Sequence, residues 1–275
     1  MRRLVFALVC FLLSASTHAA TVDGLKIHSS TIGRGSTTVI LVHGYTCDSS
    51  TWTEQVPALA TRYRVITLDL PGHGKSDVPP VDKFSMDLFA RAVEAVRAEA
   101  KVERVVLVGH SMGTPVVLRY AHLYPQHTAA LVFVDGLMPA AQNTSGRGGA
   151  AGRGAAMGGP DGRKNREAMV HRFFVASTSP SIQTKVLAMM LGAPEATAVG
   201  AMNATADPAG QTEAIPAVPL FGIYAEPGGI ASRETVLAHF PTTEYTQIPD
   251  TGHFLMLEKP QEFNRLLLAF LAKLK

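Results

Sequence analysis

The stretch that decides the fold reads Val105-Val106-Leu107-Val108-Gly109-His110-Ser111-Met112-Gly113. Its first four residues form an apolar strand pattern, and the next five form a Gly-x-Ser-x-Gly turn. Residues 114–121 continue as a helical pattern, with a proline in the first turn, where its missing N–H is not needed. The order of strand, tight turn and helix is that of a nucleophile elbow, which exposes Ser111 at a helix N-terminus.

The two glycines of this turn have a steric explanation. A sharp reversal from strand to helix puts Ser111 in a strained backbone conformation, and a side chain at position 109 or 113 would collide across the turn. Short motifs of this kind also arise by chance, so the prediction depends on the strand before the turn, the helix after it and two further signals.

The first of these signals lies upstream, where a strand pattern at 38–42 ends in His43-Gly44-Tyr45. Backbone N–H groups just beyond such a strand point to the same place as the amide that follows the nucleophile. We therefore predict that the N–H groups of Tyr45 and Met112 form an oxyanion hole, because a tetrahedral oxyanion needs two preorganised donors. His43 is expected to brace the loop by hydrogen bonds rather than to transfer protons.

The second signal lies near the C-terminus, where a strand pattern at 244–248 runs into the turn Gly252-His253-Phe254. A histidine after a turn is usually a surface or packing residue. His253, however, takes the last place in the chain order serine, acid, histidine. We predict that His253 is the general base that activates Ser111.

Together these segments resemble the α/β-hydrolase-fold family. His43-Gly44, residues 69–76 (DLPGHGKS), the serine elbow and Gly252-His253-Phe254 match that family's pattern in order and spacing. The resemblance covers nearly the whole chain after the N-terminal segment. It implies a serine hydrolase that cleaves small to medium hydrophobic esters through an acyl-enzyme, with no metal and no organic cofactor.

The same resemblance leaves other functions of the fold to be weighed. A serine at position 111 argues against the haloalkane dehalogenases and epoxide hydrolases, which carry aspartate there. C–C bond hydrolases and perhydrolases have a similar elbow, so both remain alternatives. A non-catalytic binding protein of the same fold is a further alternative, since the acid expected in the family is missing from its usual position.

Two residues compete for the role of that acid. In the family the acid usually follows the seventh core strand, and Gly228 occupies this position here. Asp135 ends the strand pattern that follows the nucleophile helix, a place from which some family members supply the acid. Glu226 lies two residues before the usual position. We favour Asp135; the role requires only a carboxylate within hydrogen-bond reach of the His253 ring.

Six strand patterns alternate with five helical patterns along the chain. This alternation predicts right-handed crossovers and an α/β fold with a mostly parallel, doubly wound sheet. The apolar strand interiors fit burial on both faces. The strand patterns lie at 37–42, 64–69, 104–108, 130–134, 218–224 and 244–248, and the helical patterns at 52–61, 84–99, 115–123, 231–239 and 261–274.

Residues 139–216 break this alternation and are predicted to form an inserted cap. The insertion follows the strand pattern at 130–134, which corresponds to the sixth core strand of the family. The core would then comprise residues 20–138 and 217–275. The glycine-rich part, 141–162, is expected to be a flexible loop, and helical patterns follow at 166–176 and 181–191. The apolar cap residues either line an acyl pocket or pack the cap onto the core: Met169, Phe173, Phe174, Val186, Leu187 and Met190.

Residues 1–19 are predicted to be a signal peptide. Arg2 and Arg3 precede an apolar run at 4–13 that is too short to span a bilayer, and Thr17-His18-Ala19 suits cleavage after Ala19. We therefore expect a periplasmic or secreted protein with no stable membrane anchor after cleavage.

The composition fits a single globular enzyme domain. The chain has 275 residues, of which 47% are hydrophobic, so it can bury a large core. Cleavage would lower the lysines and arginines from 25 to 23, against 22 acidic residues, and no basic patch indicates nucleic acid. Cys47 would be the one cysteine left, which excludes an intramolecular disulfide. The expected partner is a small-molecule ester.

Overall fold

The computed structural model describes residues 16–136, 138, 150–206 and 214–274. Its strands are β1 (Ser16–Val22), β2 (Leu25–Ile32), β3 (Thr38–Val42), β4 (Arg64–Leu68), β5 (Val105–His110), β6 (Thr128–Val134), β7 (Leu220–Pro227) and β8 (Glu244–Thr251). Its helices are α1 (Val56–Leu59), α2 (Met86–Glu99), α3 (Gly113–Leu123), α4 (Ala150–Ala155), α5 (Gly162–His171), α6 (Pro180–Gly192), α7 (Glu195–Ala206), α8 (Arg233–His239), α9 (Leu255–Glu258) and α10 (Pro260–Leu271).

The strands form one eight-stranded sheet in the order β1-β2-β4-β3-β5-β6-β7-β8. Strands β3 to β8 pair in parallel, while β1 and β2 are antiparallel to their neighbours at one edge. Every residue of β3 and β5 is buried, as expected for central strands with helices on both faces. The predicted α/β fold with a mostly parallel sheet is confirmed.

The edge hairpin of β1 and β2 was not predicted from the sequence. Strand β2 reads LKIHSSTI, and only two of its eight residues are buried, so no continuous apolar run marks it. Strand β1 also crosses the predicted signal-peptide boundary. Its residues Ser16–Ala19 pair with Thr31–His28, and Ala20–Val22 pair with Ile27–Leu25.

The helix predicted at 52–61 is wrong. The structure has a 3₁₀ turn at Ser49–Trp52 and a separate four-residue helix, α1. Pro57 lies in the first turn of α1, where its missing N–H is tolerated; in the interior of a longer helix it would break the hydrogen-bond ladder. Gln55, between the two turns, is buried and donates through Nε2 to the Met256 carbonyl at 2.9 Å.

The described part of the cap region, residues 150–206, contains four helices and no strand. The flexible loop predicted at 141–162 is wrong from residue 150 onward, because α4 lies there; residues 141–149 are outside the described residues. Helix α4 contacts α7 closely, and a Cβ on Gly154 would lie 1.9 Å from the Asn203 side-chain oxygen. Gly154 therefore permits close packing of α4 against α7 and does not indicate a flexible loop.

Helix α6 contains the helical pattern predicted at 181–191. Helix α5 overlaps the pattern predicted at 166–176, but it begins at Gly162 and ends at His171, so the helix predicted over 172–176 is wrong. Helix α7 was not predicted, because its sequence EATAVGAMNATA is dominated by small residues and has no clear apolar stripe. No helix among the described residues is both long enough and apolar enough to cross a membrane.

Candidate active site

Ser111 lies at the carboxyl end of β5, between that strand and α3. Its backbone φ is 54°, in the left-handed region, and its N–H donates to the Val134 carbonyl at 3.0 Å. A Cβ on Gly109 would lie 2.4 Å from the Gly113 carbonyl oxygen, and a Cβ on Gly113 would lie 2.5 Å from that of Val42. The strand, turn and helix predicted around Ser111 are therefore present, and both flanking glycines are sterically required.

The loop that follows β3 lies directly beside Ser111. A Cβ on Gly44 would lie 3.0 Å from the Ser111 Cβ, so the backbone at 44–45 abuts the nucleophile position. Within the described part of the chain, neither the Tyr45 N–H nor the Met112 N–H donates a hydrogen bond. Both donors are thus available to an atom bound beside Ser111.

His43 braces this loop, as expected. Its Nδ1 donates to the Gly44 carbonyl at 2.9 Å, and its Nε2 accepts from the Leu70 N–H at 3.0 Å. Burial lowers the pKa of His43, partly opposed by the nearby carboxylate of Asp69. The ring is therefore neutral and serves as a fixed donor and acceptor.

Asp135 and His253 form a buried hydrogen-bonded pair. Asp135 directly follows β6, and its Oδ2 accepts from His253 Nδ1 at 2.6 Å. The carboxylate also accepts from the N–H groups of Ala225 and Ile230, each at 3.3 Å. Both side chains are almost completely excluded from solvent, at 0% and 2% exposure. This arrangement fixes the imidazole tautomer with its proton on Nδ1 and leaves Nε2 as an acceptor.

Glu226 and Gly228 are the other positions considered for the acid. Glu226 is exposed at the end of β7, and no described contact joins it to His253. A Cβ on Gly228 would lie 3.0 Å from both the Gly252 Cα and the Thr251 carbonyl oxygen. A side chain at position 228 would therefore crowd the backbone that carries His253, and the structure brings only Asp135 to the histidine.

His253 is held from two sides by residues whose contacts with it the sequence did not predict. His110 donates through Nε2 to the His253 carbonyl at 3.0 Å, and the His253 N–H donates to the Phe173 carbonyl at 2.9 Å. The rings of His110 and Phe173 lie 4.5 Å and 4.4 Å from the His253 ring, centre to centre. His110 is the variable residue before Ser111 in the elbow, and Phe173 is one of the apolar cap residues at helical spacing, for which the sequence predicted a pocket-lining or packing role but no contact with His253.

His110 links the histidine and the serine. Its ring is fully buried, and this burial, with a further electrostatic effect of His253, holds the pKa of His110 well below the usual value and keeps the ring neutral. No hydrogen bond within the described residues joins the Ser111 hydroxyl directly to His253. Such bonds in unliganded hydrolases often tighten only when substrate binds, so the arrangement suits proton transfer from Ser111.

Helix α7 connects the cap to the Tyr45 loop. The Tyr45 hydroxyl donates to the Ala198 carbonyl at 2.9 Å, and the Thr197 hydroxyl donates to the Gly72 carbonyl at 2.5 Å. Of the apolar cap residues named above, Val186 and Met190 are buried in the core cluster, and Phe173 contacts His253. The remaining three are partly buried against the core: Met169, Phe174 and Leu187.

The described residues contain no group of three His, Cys, Asp or Glu side chains placed to hold a metal ion. Cys47 is a buried free thiol, and burial raises its pKa well above the usual value.

Comparison with known proteins places this geometry in a family. The profile of the α/β hydrolase fold family matches residues 37–151. An esterase from Thermogutta terrifontis superposes with a TM-score of 0.83 at 25% identity, covering 95% of this chain and 99% of that one. The chain is a member of the α/β-hydrolase-fold superfamily.

Two curated relatives of this α/β hydrolase bear the names of an enzyme component and an enzyme. The chain is 31% identical over 257 residues to the dihydrolipoyllysine-residue acetyltransferase component of an acetoin cleaving system from Pseudomonas putida. This match covers 88% of the chain and 65% of the relative. A 2-hydroxy-6-oxononadienedioate/2-hydroxy-6-oxononatrienedioate hydrolase from Paraburkholderia phymatum is 37% identical over 116 residues, 41% of this chain and 40% of that protein. The chain therefore spans less than two thirds of the length of these relatives. The esterase and hydrolase neighbours support a hydrolase.

Proposed function

We propose that this α/β hydrolase is a serine esterase that cleaves small to medium hydrophobic carboxylic esters through an acyl-enzyme. The observation that carries the proposal is the buried Asp135–His253 hydrogen bond of 2.6 Å, with the His253 ring 4.5 Å from that of His110, the residue directly before a serine in a left-handed turn. A carboxylate that orients a histidine beside a serine is the arrangement that activates a hydroxyl nucleophile.

The proposed reaction has two steps that use the same groups. His253 Nε2 takes the Ser111 proton while Oγ attacks the ester carbonyl, and the Tyr45 and Met112 N–H groups bind the oxyanion. His253 then returns the proton to the leaving alcohol as the acyl–oxygen bond breaks. Water, deprotonated by His253, hydrolyses the acyl-enzyme and restores the serine. Asp135 stabilises the imidazolium that forms in each step.

The first test is covalent labelling of the purified protein with a fluorophosphonate, followed by intact mass. We expect one adduct on the wild-type protein and none on Ser111→Ala, with labelling at least 100-fold slower for His253→Ala. Glu226→Gln, altered at an exposed carboxylate, is the matched control and should label at the wild-type rate. An unlabelled wild-type protein would contradict the proposal and favour a non-catalytic binding protein.

Cleavage of a C–C bond is a second candidate, favoured by the 37% identity to the Paraburkholderia phymatum hydrolase. The elbow and the histidine–aspartate pair would serve either reaction, so the two functions are distinguished by which substrate the protein turns over. Purified protein should be assayed on a vinylogous dione and on 4-nitrophenyl butyrate under identical conditions. A turnover of the dione that exceeds ester turnover would replace the esterase proposal with this one.

We also propose that the protein is exported after cleavage behind Ala19. Cleavage there would remove four residues of β1 and keep Ala20–Val22, whose pairing with β2 buries Ala20 and Val22. The N-terminal sequence of the protein recovered from the periplasm or medium tests this. A mature chain that begins at Ala20 is expected, and a full-length chain confined to the cytoplasm would overturn the proposal.

A further inference from the structure

Helix α5 of the cap carries a buried arginine. Arg166 is 6% exposed, although arginine is almost never buried unless it is paired. Its Nη1 donates to the Ala193 carbonyl at 3.3 Å, and its buried Nε has no partner. A guanidinium offers five N–H donors, so most of the hydrogen-bonding capacity of Arg166 is unused within the described residues.

Arg166 also has no counter-charge in the described part of the chain. No carboxylate lies within ion-pair distance of its guanidinium. The nearest acidic residues in sequence and along the neighbouring helix, Glu167 and Glu195, are exposed, and Glu195 accepts from the Gly159 N–H. A buried cation without an anion is strongly unfavourable, so an anion bound beside Arg166 would stabilise it.

Two observations place Arg166 on the side of the cap that faces the candidate active site. Gly162, Arg166 and Val170 are the buried residues of α5 and recur every four positions, so they share its inner face. Phe173, two residues beyond the end of α5, packs its ring on His253. The charge of Arg166 acts on the buried hydroxyl of Tyr45. Arg166 thus lies on the inner face of the cap, within electrostatic reach of the Tyr45 loop.

We propose that Arg166 is a binding residue for a carboxylate on the substrate, so that the preferred substrates are esters of dicarboxylic acids that keep one free carboxylate. This inference rests on the proposed function and narrows its substrate class. A guanidinium binds a carboxylate through two parallel N–H···O bonds, which would satisfy the unused donors and supply the missing negative charge. The scissile carbonyl would then lie at Ser111 while the distal carboxylate lies under the cap.

The test compares paired substrates that differ only in that charge. These are the mono-4-nitrophenyl esters of succinic, glutaric and adipic acids and the corresponding methyl 4-nitrophenyl diesters. For at least one chain length, we expect Arg166→Gln to lower kcat/KM about 10- to 100-fold for the charged ester and less than threefold for the neutral one. Arg163→Gln, which removes an exposed guanidinium of the same helix, is the matched control and should change neither value.

Binding without turnover separates this inference from the proposed function. Calorimetry of the Ser111→Ala protein with glutarate and adipate should show binding that Arg166→Gln in the same background abolishes. Equal losses on charged and neutral esters, or dicarboxylate binding unaffected by Arg166→Gln, would overturn the carboxylate site. If the fluorophosphonate still labels Ser111, the esterase proposal would survive that result. If labelling fails but Arg166-dependent binding is present, the esterase proposal fails alone. Arg166→Met should melt at or above the wild-type temperature, because it removes an unpaired buried charge.

Discussion

Asp135 is held in place by three hydrogen-bond donors. Its oxygens accept from His253 Nδ1 and from the N–H groups of Ala225 and Ile230, so both oxygens have a donor. The sequence left the acid open, because a carboxylate after β6 and one near the end of β7 both come before His253 in the chain. The structure distinguishes the candidate acids by their positions: Glu226 is exposed, and a side chain at position 228 would crowd the backbone at Gly252.

The first prediction compares the two carboxylates directly. Asp135→Asn should lower kcat for 4-nitrophenyl butyrate by about 10³- to 10⁴-fold, because an amide can favour the wrong imidazole tautomer and cannot stabilise the imidazolium. Glu226→Gln should stay within twofold of wild type. Initial rates at saturating substrate measure both. A large loss for Glu226→Gln with little loss for Asp135→Asn would reverse the assignment.

Among the elements, the contact between the cap and the β8–α9 turn matters most for the site. Phe173 follows α5, yet its carbonyl accepts from the His253 N–H and its ring covers the imidazole. Sequence patterns predicted α5, α6 and the turn at 252–254 separately, because each is a local signal. They could not predict this contact, because it joins residues that are 80 positions apart. The position of the cap thereby influences the orientation of the histidine.

The second prediction tests this contact at Gly252. A Cβ there would lie 2.3 Å from the Phe173 carbonyl oxygen, so Gly252→Ala must push the cap and His253 apart. We expect kcat to fall about 10- to 100-fold, since displacements of about 1 Å have such effects on catalysis. Gly192→Ala, in the same cap but with nothing within 4 Å of the added carbon, should leave kcat unchanged. Wild-type kcat in Gly252→Ala would show that the contact does not position His253.

At the scale of the whole molecule, the buried parallel strands could be predicted from the sequence, whereas the β1–β2 hairpin at the edge of the sheet could not. Strands β3, β5 and β6 are apolar almost throughout because both faces are covered, and such runs are visible in the sequence. The β1–β2 hairpin is partly exposed and polar, so it left no such signal. The closed interior also encloses three histidines whose pKa values burial lowers: His43, His73 and His110.

The third prediction concerns stability against acid. Burial lowers the pKa of His73 to about 3, so the folded protein keeps this ring neutral where the unfolded chain binds a proton. The contribution is complete above about pH 6.5 and is lost as the pH falls toward 3, by up to about 1.4 kcal/mol per pH unit for each such histidine. Urea unfolding between pH 7 and pH 4.5 should therefore show a falling free energy of unfolding.

The matched variants for this measurement are His73→Asn and His239→Asn. Both residues bond a backbone carbonyl through Nδ1, which asparagine can replace, but His73 is buried and His239 is exposed. Only His73→Asn should reduce the pH dependence, by up to about 1.4 kcal/mol per pH unit. An unchanged dependence in His73→Asn would mean that this ring is protonated in the folded protein.

The left-handed backbone at Ser111 and Asp135 has a consequence for how such a chain diverges. Their φ values of 54° and 38° are ones that glycine adopts at far lower conformational cost. In a descendant that no longer needs the reaction, substitution of either residue by glycine lowers the conformational free-energy cost of the left-handed backbone, so the fold favours both substitutions. Inactive relatives of this chain should accordingly carry glycine at position 111 or 135 and have a higher free energy of unfolding than active relatives.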